Sequence, residues 1–348
     1  MRQFSVFACL AVVVLVSMIT APAWAGFSLS GYDLQVVKSA QGLENADASY
    51  QTNSTWGTAG ELVTTSFTLP SVETIAYARL YMDVWGGTNY KNAQAEVTIN
   101  GTARTIAFGN TGDATNGIAT TDTHPTYDGD ATCVYGSGFG VWQLCLSDVA
   151  DLLHTDGTAN SVNVSITDPN ATGFDGRVYD VSLVSIYQDP SIDQTLDFYL
   201  AEADGSLRRI PGTAGAPTTR SLTIPGINTT DVLSATYTAG YTHGTTDQPD
   251  QVYFNENDLD GDGTDVALGT SSDYGPSNVP FDVSLFLMET STIRYSVDET
   301  EVGTPSEYSV RANVGLLTVT HPVPEPSTAV LLTLALAGGL FFFTKRRK

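Results

Sequence analysis

Ser66-Phe67-Thr68-Leu69-Pro70 returns later in the chain as Ser221-Leu222-Thr223-Ile224-Pro225. Both copies alternate polar and apolar side chains, the pattern of a strand with one buried face. A threonine pair precedes each, Thr64-Thr65 and Thr218-Thr219. The match then continues in order. Ala78-Arg79-Leu80-Tyr81 answers to Ala235-Thr236-Tyr237-Thr238, and Val97-Thr98-Ile99-Asn100 to Val252-Tyr253-Phe254-Asn255. Asp148-Val149 answers to Asp282-Val283, and Val181–Ile186 to Ala312–Leu317. Chance could produce one such match but hardly the ordered series, so the chain reads as a duplication.

The rest of the body agrees with a strand-built fold. Runs rich in Val, Thr, Tyr and Ile, such as Leu62–Leu69, Val162–Ile166, Val178–Tyr187 and Tyr308–Val319, are separated by Gly, Asn, Asp and Pro. Asn100-Gly101 between two such runs signals a two-residue hairpin. Helical periodicity is weak; Asp148–His154 is the one short helix or turn expected, with Ser147 as its cap. The expected class is all-β, two tandem β-sandwiches of jelly-roll or immunoglobulin-like type. The boundary falls near Asp189-Pro190, giving domains at 26–190 and 191–322.

The two ends carry addresses. Arg2 precedes an uncharged apolar run, then Pro22 and Ala23-Trp24-Ala25. This order predicts a secretory signal peptide over 1–25, cut after Ala25. At the other end, Pro324-Glu325-Pro326 is followed by an uncharged apolar stretch to Thr344 and then by Lys345-Arg346-Arg347-Lys348. That stretch is at the lower edge of the ~18 residues needed for a membrane helix, and its basic tail would stay in the cytoplasm.

These three parts, covering 323–348, closely resemble the PEP-CTERM sorting signal of Gram-negative bacteria. The resemblance implies an inner-membrane-anchored precursor, recognised and cut near the motif by an exosortase. It also implies a released protein at the cell surface or in the matrix, associated with exopolysaccharide. A plain anchor that is never cut is the alternative reading. In the body, Ala78-Arg79-Leu80-Tyr81…Trp85-Gly86-Gly87, Gly138-Phe139-Gly140-Val141-Trp142 and Asp175-Gly176-Arg177-Val178-Tyr179 resemble the domain-of-unknown-function family numbered 3344. That likeness implies an extracellular role and carries no functional residues with it.

Composition narrows the partners. The formal net charge is −23 even with the basic tail included, and Lys38 and Lys91 are the only lysines between the two ends. Such a surface repels phosphate backbones, so nucleic acid is not expected as a partner, while divalent cations suit it. Cys9 leaves with the signal peptide. Cys133 and Cys145 remain in an oxidising compartment, and a disulfide closing a hairpin is the main expectation.

Asn255-Glu256-Asn257-Asp258-Leu259-Asp260-Gly261-Asp262-Gly263-Thr264-Asp265 is a candidate calcium loop. Oxygen ligands at alternate positions, with glycines for a tight turn, are what calcium needs. Asp258, Asp260, Asp262 and Gly263 fit the start of an EF-hand-type loop, but Gly269 stands where a bidentate Glu is required. Asp265 or a distant carboxylate would then complete the shell. An acidic, solvated turn is the competing reading, as it is for the second cluster, Asp122 to Asp130. Trp56, Tyr81, Trp85, Tyr90, Tyr135 and Trp142 read first as sandwich core and second as a sugar-stacking face.

None of His124, His154, His243 and His321 adjoins a nucleophile pattern, and no Gly-x-Ser-x-Gly, His-Glu-x-x-His or phosphate loop is present. The reading is a non-catalytic surface or matrix protein. An extracellular carbohydrate-binding module is the alternative. A glycoside-acting enzyme comes third and would need two carboxylates about 5–10 Å apart in a cleft.

Overall fold

The alternating runs form strands, and the computed structural model describes them over residues 27–28, 33–55, 58, 60–85, 93–108, 132–137, 141–147, 149–167, 175–208, 219–242, 250–259, 277–297 and 309–323. In chain order, the first strands are β1 (Phe27–Ser28), β2 (Gln35–Glu44), β3 (Ala46–Ser54), β4 (Val63–Thr68), β5 (Thr74–Trp85) and β6 (Ala93–Ile99). Next come β7 (Thr102–Phe108), β8 (Thr132–Ser137), β9 (Val141–Leu146), β10 (Ala159–Thr167), β11 (Arg177–Gln188) and β12 (Thr195–Arg208). The remainder are β13 (Thr219–Pro225), β14 (Ser234–Thr242), β15 (Asp250–Phe254), β16 (Asn257–Asp258), β17 (Ser277–Asp282), β18 (Thr290–Val297) and β19 (Ser309–His321). The one helical element among the described residues is a 3₁₀ turn, Ala150–Leu152. The fold is all-β.

Four sheets result, and their strand orders correspond between the two halves. The small sheets run β4-β10-β6-β7 and β13-β18-β15-β16. The large sheets run β1-β8-β9-β5-β11-β3 and β17-β14-β19-β12-β2. In the large sheets β9-β5-β11-β3 answers to β17-β14-β19-β12. Each large sheet closes over its small partner around an apolar core. Ala78, Leu80, Met82 and Val84 of β5 point into the first core with Phe67, Val97 and Val164. Ala235, Tyr237, Ala239 and Tyr241 of β14 point into the second with Leu222, Val252 and Ile293. Burying each valine, leucine, isoleucine or methionine among them is worth roughly 1.5–3 kcal/mol, which is why the inward positions are almost uniformly apolar.

Backbone details repeat as well. Val149 N donates to Ala78 O (3.4 Å) and Val283 N to Ala235 O (2.9 Å), so the matched residue pairs meet in both halves. The closing strands β11 and β19 occupy equivalent places, but not in the alignment read from sequence. Ser185 lies opposite Ala78, and Val319 lies opposite Ala235, where the sequence match would put Leu316. Both strands are buried on both faces, so polarity does not mark which residues point inward and the sequence alignment can be out by an odd number of positions. The expected Ser147 cap is corrected too. Val149 is the cap of the 3₁₀ turn, with no side-chain hydrogen bond. Ser147 Oγ instead accepts from Arg79 Nη1 at 2.8 Å.

The Asn100-Gly101 hairpin forms, with Ile99 opposite Thr102 and φ of 48° and 84° at the two turn residues. Asn255-Glu256 makes the same turn in the second half, with φ of 49° and 61°. Each asparagine also clamps its sandwich. Asn100 Oδ1 accepts from Ser161 N (2.9 Å), and its Nδ2 donates to Leu152 O and Asn160 Oδ1 (2.8 Å each). Asn255 Oδ1 accepts from Thr292 N (2.7 Å), and its Nδ2 donates to Phe286 O (2.7 Å) and Ser291 Oγ (3.1 Å). Asparagine serves because it tolerates the left-handed conformation and offers both a donor and an acceptor. Asn255→Ala is expected to cost about 2–3 kcal/mol. Asn255→Gly, which keeps the backbone freedom, should recover only the conformational share, and urea titration of both variants separates the two parts.

The chain passes between the sandwiches twice, at Asn45 and again between Gln188 and Thr195. β2, which precedes the whole first repeat, pairs with β12 and so belongs to the second large sheet. β3 follows directly and pairs with β11 of the first. The two crossings are tied together: Asn45 N donates to Gln194 O and Asp189 N to Asn45 O, both at 2.9 Å.

Candidate functional site

The large sheets have two buried faces. One faces its own core, the other faces the opposite sandwich. Near the crossings, the interface is apolar: Val184, Ile186, Leu196, Phe198, Leu200 and Leu316 form a cluster drawn from both halves. Tyr77 stacks on Phe198 there, with ring centroids 6.0 Å apart. Close approach is required further along. A Cβ on Gly240 would lie 2.0 Å from Tyr50 Oη, so only glycine lets β14 sit against that ring.

Away from the crossings the interface turns polar. Arg79, Tyr81 and Asp83 alternate along β5 with the core residues, so all three face the second sandwich. Arg79 Nη2 meets Glu202 Oε1 of β12 at 2.5 Å, with the glutamate side chain 1 % exposed. This ion pair joins the halves. Asn313 Nδ2 of β19 donates to Asp83 Oδ2 and, at 3.0 Å, to Thr242 Oγ1. Asn278 Nδ2 of β17 donates to the Tyr50 carbonyl at 2.5 Å. Asp180 stands opposite Asp83 in the β5–β11 ladder. Its carboxyl is within hydrogen-bonding reach of Asp83 and of Ser182, whose Oγ lies 3.4 Å from Asp180 Oδ1.

Burial pushes the Asp180 carboxyl up from 3.8 to about 6, while hydrogen bonds from Asp83 and Ser182 pull it partly back. Two carboxyls so close in a dry setting cannot both ionise without cost; together they hold one proton more readily than either would alone. Beside them lies a cavity of ≈ 10 Å³, lined by Asp83, Asp180, Gln143, Asn313, Tyr81 and Tyr241 among others. That is about the room for one water. A second, wider concavity of ≈ 470 Å³ lies by the crossings, lined by Glu44, Asp197, Asp231 and His321. His321 Nε2 there sits 3.3 Å from Asp197 Oδ2. No Trp, Tyr or Phe is among its described lining, so it lacks the usual platform for stacking a sugar.

The residues singled out from sequence fall as follows. Cys133 and Cys145 are Cα partners across β8 and β9. Asp258 is half-buried in β16; Asp260, Asp262, Asp265 and the Asp122–Asp130 cluster lie outside the described residues. So do Ala25, Pro324, Glu325 and Pro326, and with them the expected signal peptide and the apolar C-terminal stretch. Among the described residues no helix is long and apolar enough to cross a membrane, and no group of three or more His, Cys, Asp and Glu converges. Tyr81 and Trp142 are buried. Trp85 is half-buried, with Arg177 5.3 Å over its ring and Tyr179 stacked at 6.4 Å. Trp56 and Tyr90 lie outside the described residues.

The sequence reading passed over Asp83, Asp180, Gln143 and Asn313. Each sits among apolar residues on a strand and reads as a solvent-facing position. The signal available was that β5 and β11 carry apolar side chains at both alternating positions, as strands buried on both faces do.

Comparison with known proteins adds the following. A family described as protein of unknown function (DUF3344) matches residues 31–319. The PEP-CTERM protein-sorting motif matches residues 322–348. No curated protein matches the sequence. Among solved structures the chain is similar to PNGase F, a glycosylasparaginase from Flavobacterium meningosepticum, at 11 % identity and a TM-score of 0.28, covering 81 % of this chain and 97 % of that one. It is also similar to BuGH86 in complex with neoagarooctaose, at 13 % identity and a TM-score of 0.25, covering 80 % of this chain and 34 % of that one. Likenesses at these scores assign no activity.

Proposed function

This chain belongs to the DUF3344 family of proteins of unknown function, and from that premise we propose that it is an exported, non-catalytic surface or matrix protein sorted by an exosortase. The observation that carries the non-catalytic reading is the use made of the buried polar groups. Glu202 is taken up by Arg79 and Asp83 by Asn313, each across the interface. These groups join two sandwiches into one body. The Asp83–Asp180 pair is also closer than the ~5 Å or more that separates the carboxyls of glycosidases.

Delivery is supported by the position of the sorting motif. It begins at residue 322, immediately after β19 ends at His321. The last described strand therefore ends where the motif begins. In this reading residues 1–25 leave as a signal peptide, and the 323–348 segment anchors the precursor in the inner membrane until it is cut. Two features stiffen the body. A Cys133–Cys145 disulfide is supported by their opposition in the β8–β9 ladder and by the bonded state of the Cys145 sulfur. A calcium ion in the Asp258–Asp265 loop is supported by the spacing of its carboxylates. Matrix exopolysaccharide is the proposed partner. The half-buried Trp85, flanked by Arg177 and Tyr179, is what favours the second reading, a carbohydrate-binding module.

Mass spectrometry of the protein from membrane and extracellular fractions tests the proposal. The released form is expected to begin at Gly26 and to lack Lys345–Lys348. An intact basic tail on every mature molecule would refute sorting by cleavage. Binding to a polysaccharide array that disappears in Trp85→Ala would move the function to the second reading.

A further inference from the structure

We propose that the buried pocket between the two sandwiches, bounded by Asp83, Asp180, Gln143 and Asn313, is a binding site for one hard divalent cation, with calcium the best chemical match. This site is distinct from the Asp258–Asp265 loop and draws its ligands from both halves.

The case rests on which atoms are gathered there. Asp83 and Asp180 bring two carboxyl groups from paired positions of β5 and β11. Gln143 of β9 is 1 % exposed, and its Oε1 has no hydrogen-bond partner. Asn313 of β19 is 4 % exposed, and its Oδ1 has none either. The orientation of the Asn313 amide is fixed, because its Nδ2 is spent on Asp83 and Thr242. Its oxygen is therefore an acceptor. All four residues line the same small cavity.

The gathered groups are thus oxygens, and what they need is positive charge. A buried amide oxygen left without a partner costs about 1–3 kcal/mol, and two such atoms beside a carboxyl pair would be a poor choice for a merely structural joint. A proton shared by the aspartates satisfies the carboxyls and leaves both amides wanting. A water bridging the two amide oxygens leaves the net negative charge of the carboxyl pair uncompensated. A dehydrated cation occupies about the space of that water and satisfies carboxylates and amide oxygens together. Calcium takes six to eight oxygens, mixing carboxylate, amide carbonyl and water. Arg79 is committed to Glu202, and Arg311, buried on β19 two residues from Asn313, does not line the cavity. A cation here would bridge β5 and β11 of one sandwich to β19 of the other, so its effect is to lock the sandwiches together.

The test uses purified full-length protein, stripped with chelator at pH 7.5, with calcium alone as the probe. Thermal unfolding should shift upward by roughly 5 °C once calcium exceeds its Kd a hundredfold. Elemental analysis should find one calcium fewer per chain in Asp180→Asn than in the wild type. The Asp180→Asn protein, checked for folding by circular dichroism, should lose the part of the shift that an Asp260→Asn/Asp262→Asn variant retains. Gln143→Leu leaves both carboxylates in place and should weaken binding at least tenfold. Terbium supplies an optical check: sensitised emission excited through the lining tyrosines is expected in the loop variant and lost when Asp180→Asn is added to it. The inference fails if Asp180→Asn binds as much calcium as the wild type. It fails equally if the wild type shows no shift at millimolar calcium. A shift that vanishes in the loop variant and survives in Asp180→Asn would place the only ion in the loop and overturn it as well.

Discussion

Arg79→Met destabilises the protein by about 3–5 kcal/mol, because it leaves the Glu202 carboxylate buried without its cation. The glutamate side chain is 1 % exposed and the arginine 11 %, so solvent does little to relieve the loss. Arg79 also carries Ser147 Oγ, whose bond to Nη1 goes with it. The cost is not the worth of the pair. The double variant Arg79→Met/Glu202→Leu removes both charges and should recover most of the stability, since well-packed apolar replacements of buried ion pairs are often neutral or better. Urea midpoints for the single and double variants check both halves of the expectation. A single variant as stable as the wild type would mean that the two sandwiches do not rely on this contact.

The Asp83–Asp180 pair makes the wild type lose stability as pH rises, measured in chelator. Its sign follows from linkage. Asp180 has a folded value of about 6 against an ordinary 3.8, so between those values the folded state binds more protons than the unfolded one. The contribution is fully present below about pH 4 and is lost as pH climbs through 6. The loss is of order 2–3 kcal/mol. The groups facing the pair from the packed strands are Tyr50 of β3, Tyr81 of β5 and Tyr241 of β14, with Glu202 and Arg79 further along the interface and Arg311 buried on β19. Burial keeps Tyr81 un-ionised well above neutral pH, so it does not compete in this window. Exposed carboxyls work the other way: hydrogen bonds from Thr158 hold Asp156 low, those from Ser191 hold Asp189 low, and those from Ser284 hold Asp282 low. A comparison with Asp180→Asn cancels those. The neutral amide mimics the protonated acid, so the variant should match the wild type at pH 4 and exceed it at pH 8. A constant difference across that range would contradict the shared proton.

The correspondence of the two halves was legible because both keep the same residues where geometry is demanding. Asn100 and Asn255 turn tight hairpins and clamp β10 and β18, the strands on the far side of β6 and β15, and few residues can do both. Ala78 and Ala235 lie beneath a backbone contact repeated in each half. The interface was not legible. β2 and β12 carry no clear alternation: β2 is largely exposed, and β12 is buried on both sides from Leu196 to Glu202. Periodicity speaks only when one face is wet and the other dry. The same limit hid the acidic cluster. Arg79, Tyr81 and Asp83 alternate with core residues as a solvent-facing stripe would, and only the second sandwich turns that stripe into a buried one. Which sheet β2 joins is a question of long-range pairing, and no local pattern in Gln35–Glu44 answers it.

The central claim is that the two sandwiches act as one body, held by the crossings, the apolar cluster and the polar network beyond it. Scanning calorimetry of the processed protein measures this directly. The account predicts a single transition whose calorimetric and van't Hoff enthalpies agree. Two resolved transitions, each unmoved by Arg79→Met, would show that the sandwiches unfold independently and would contradict it.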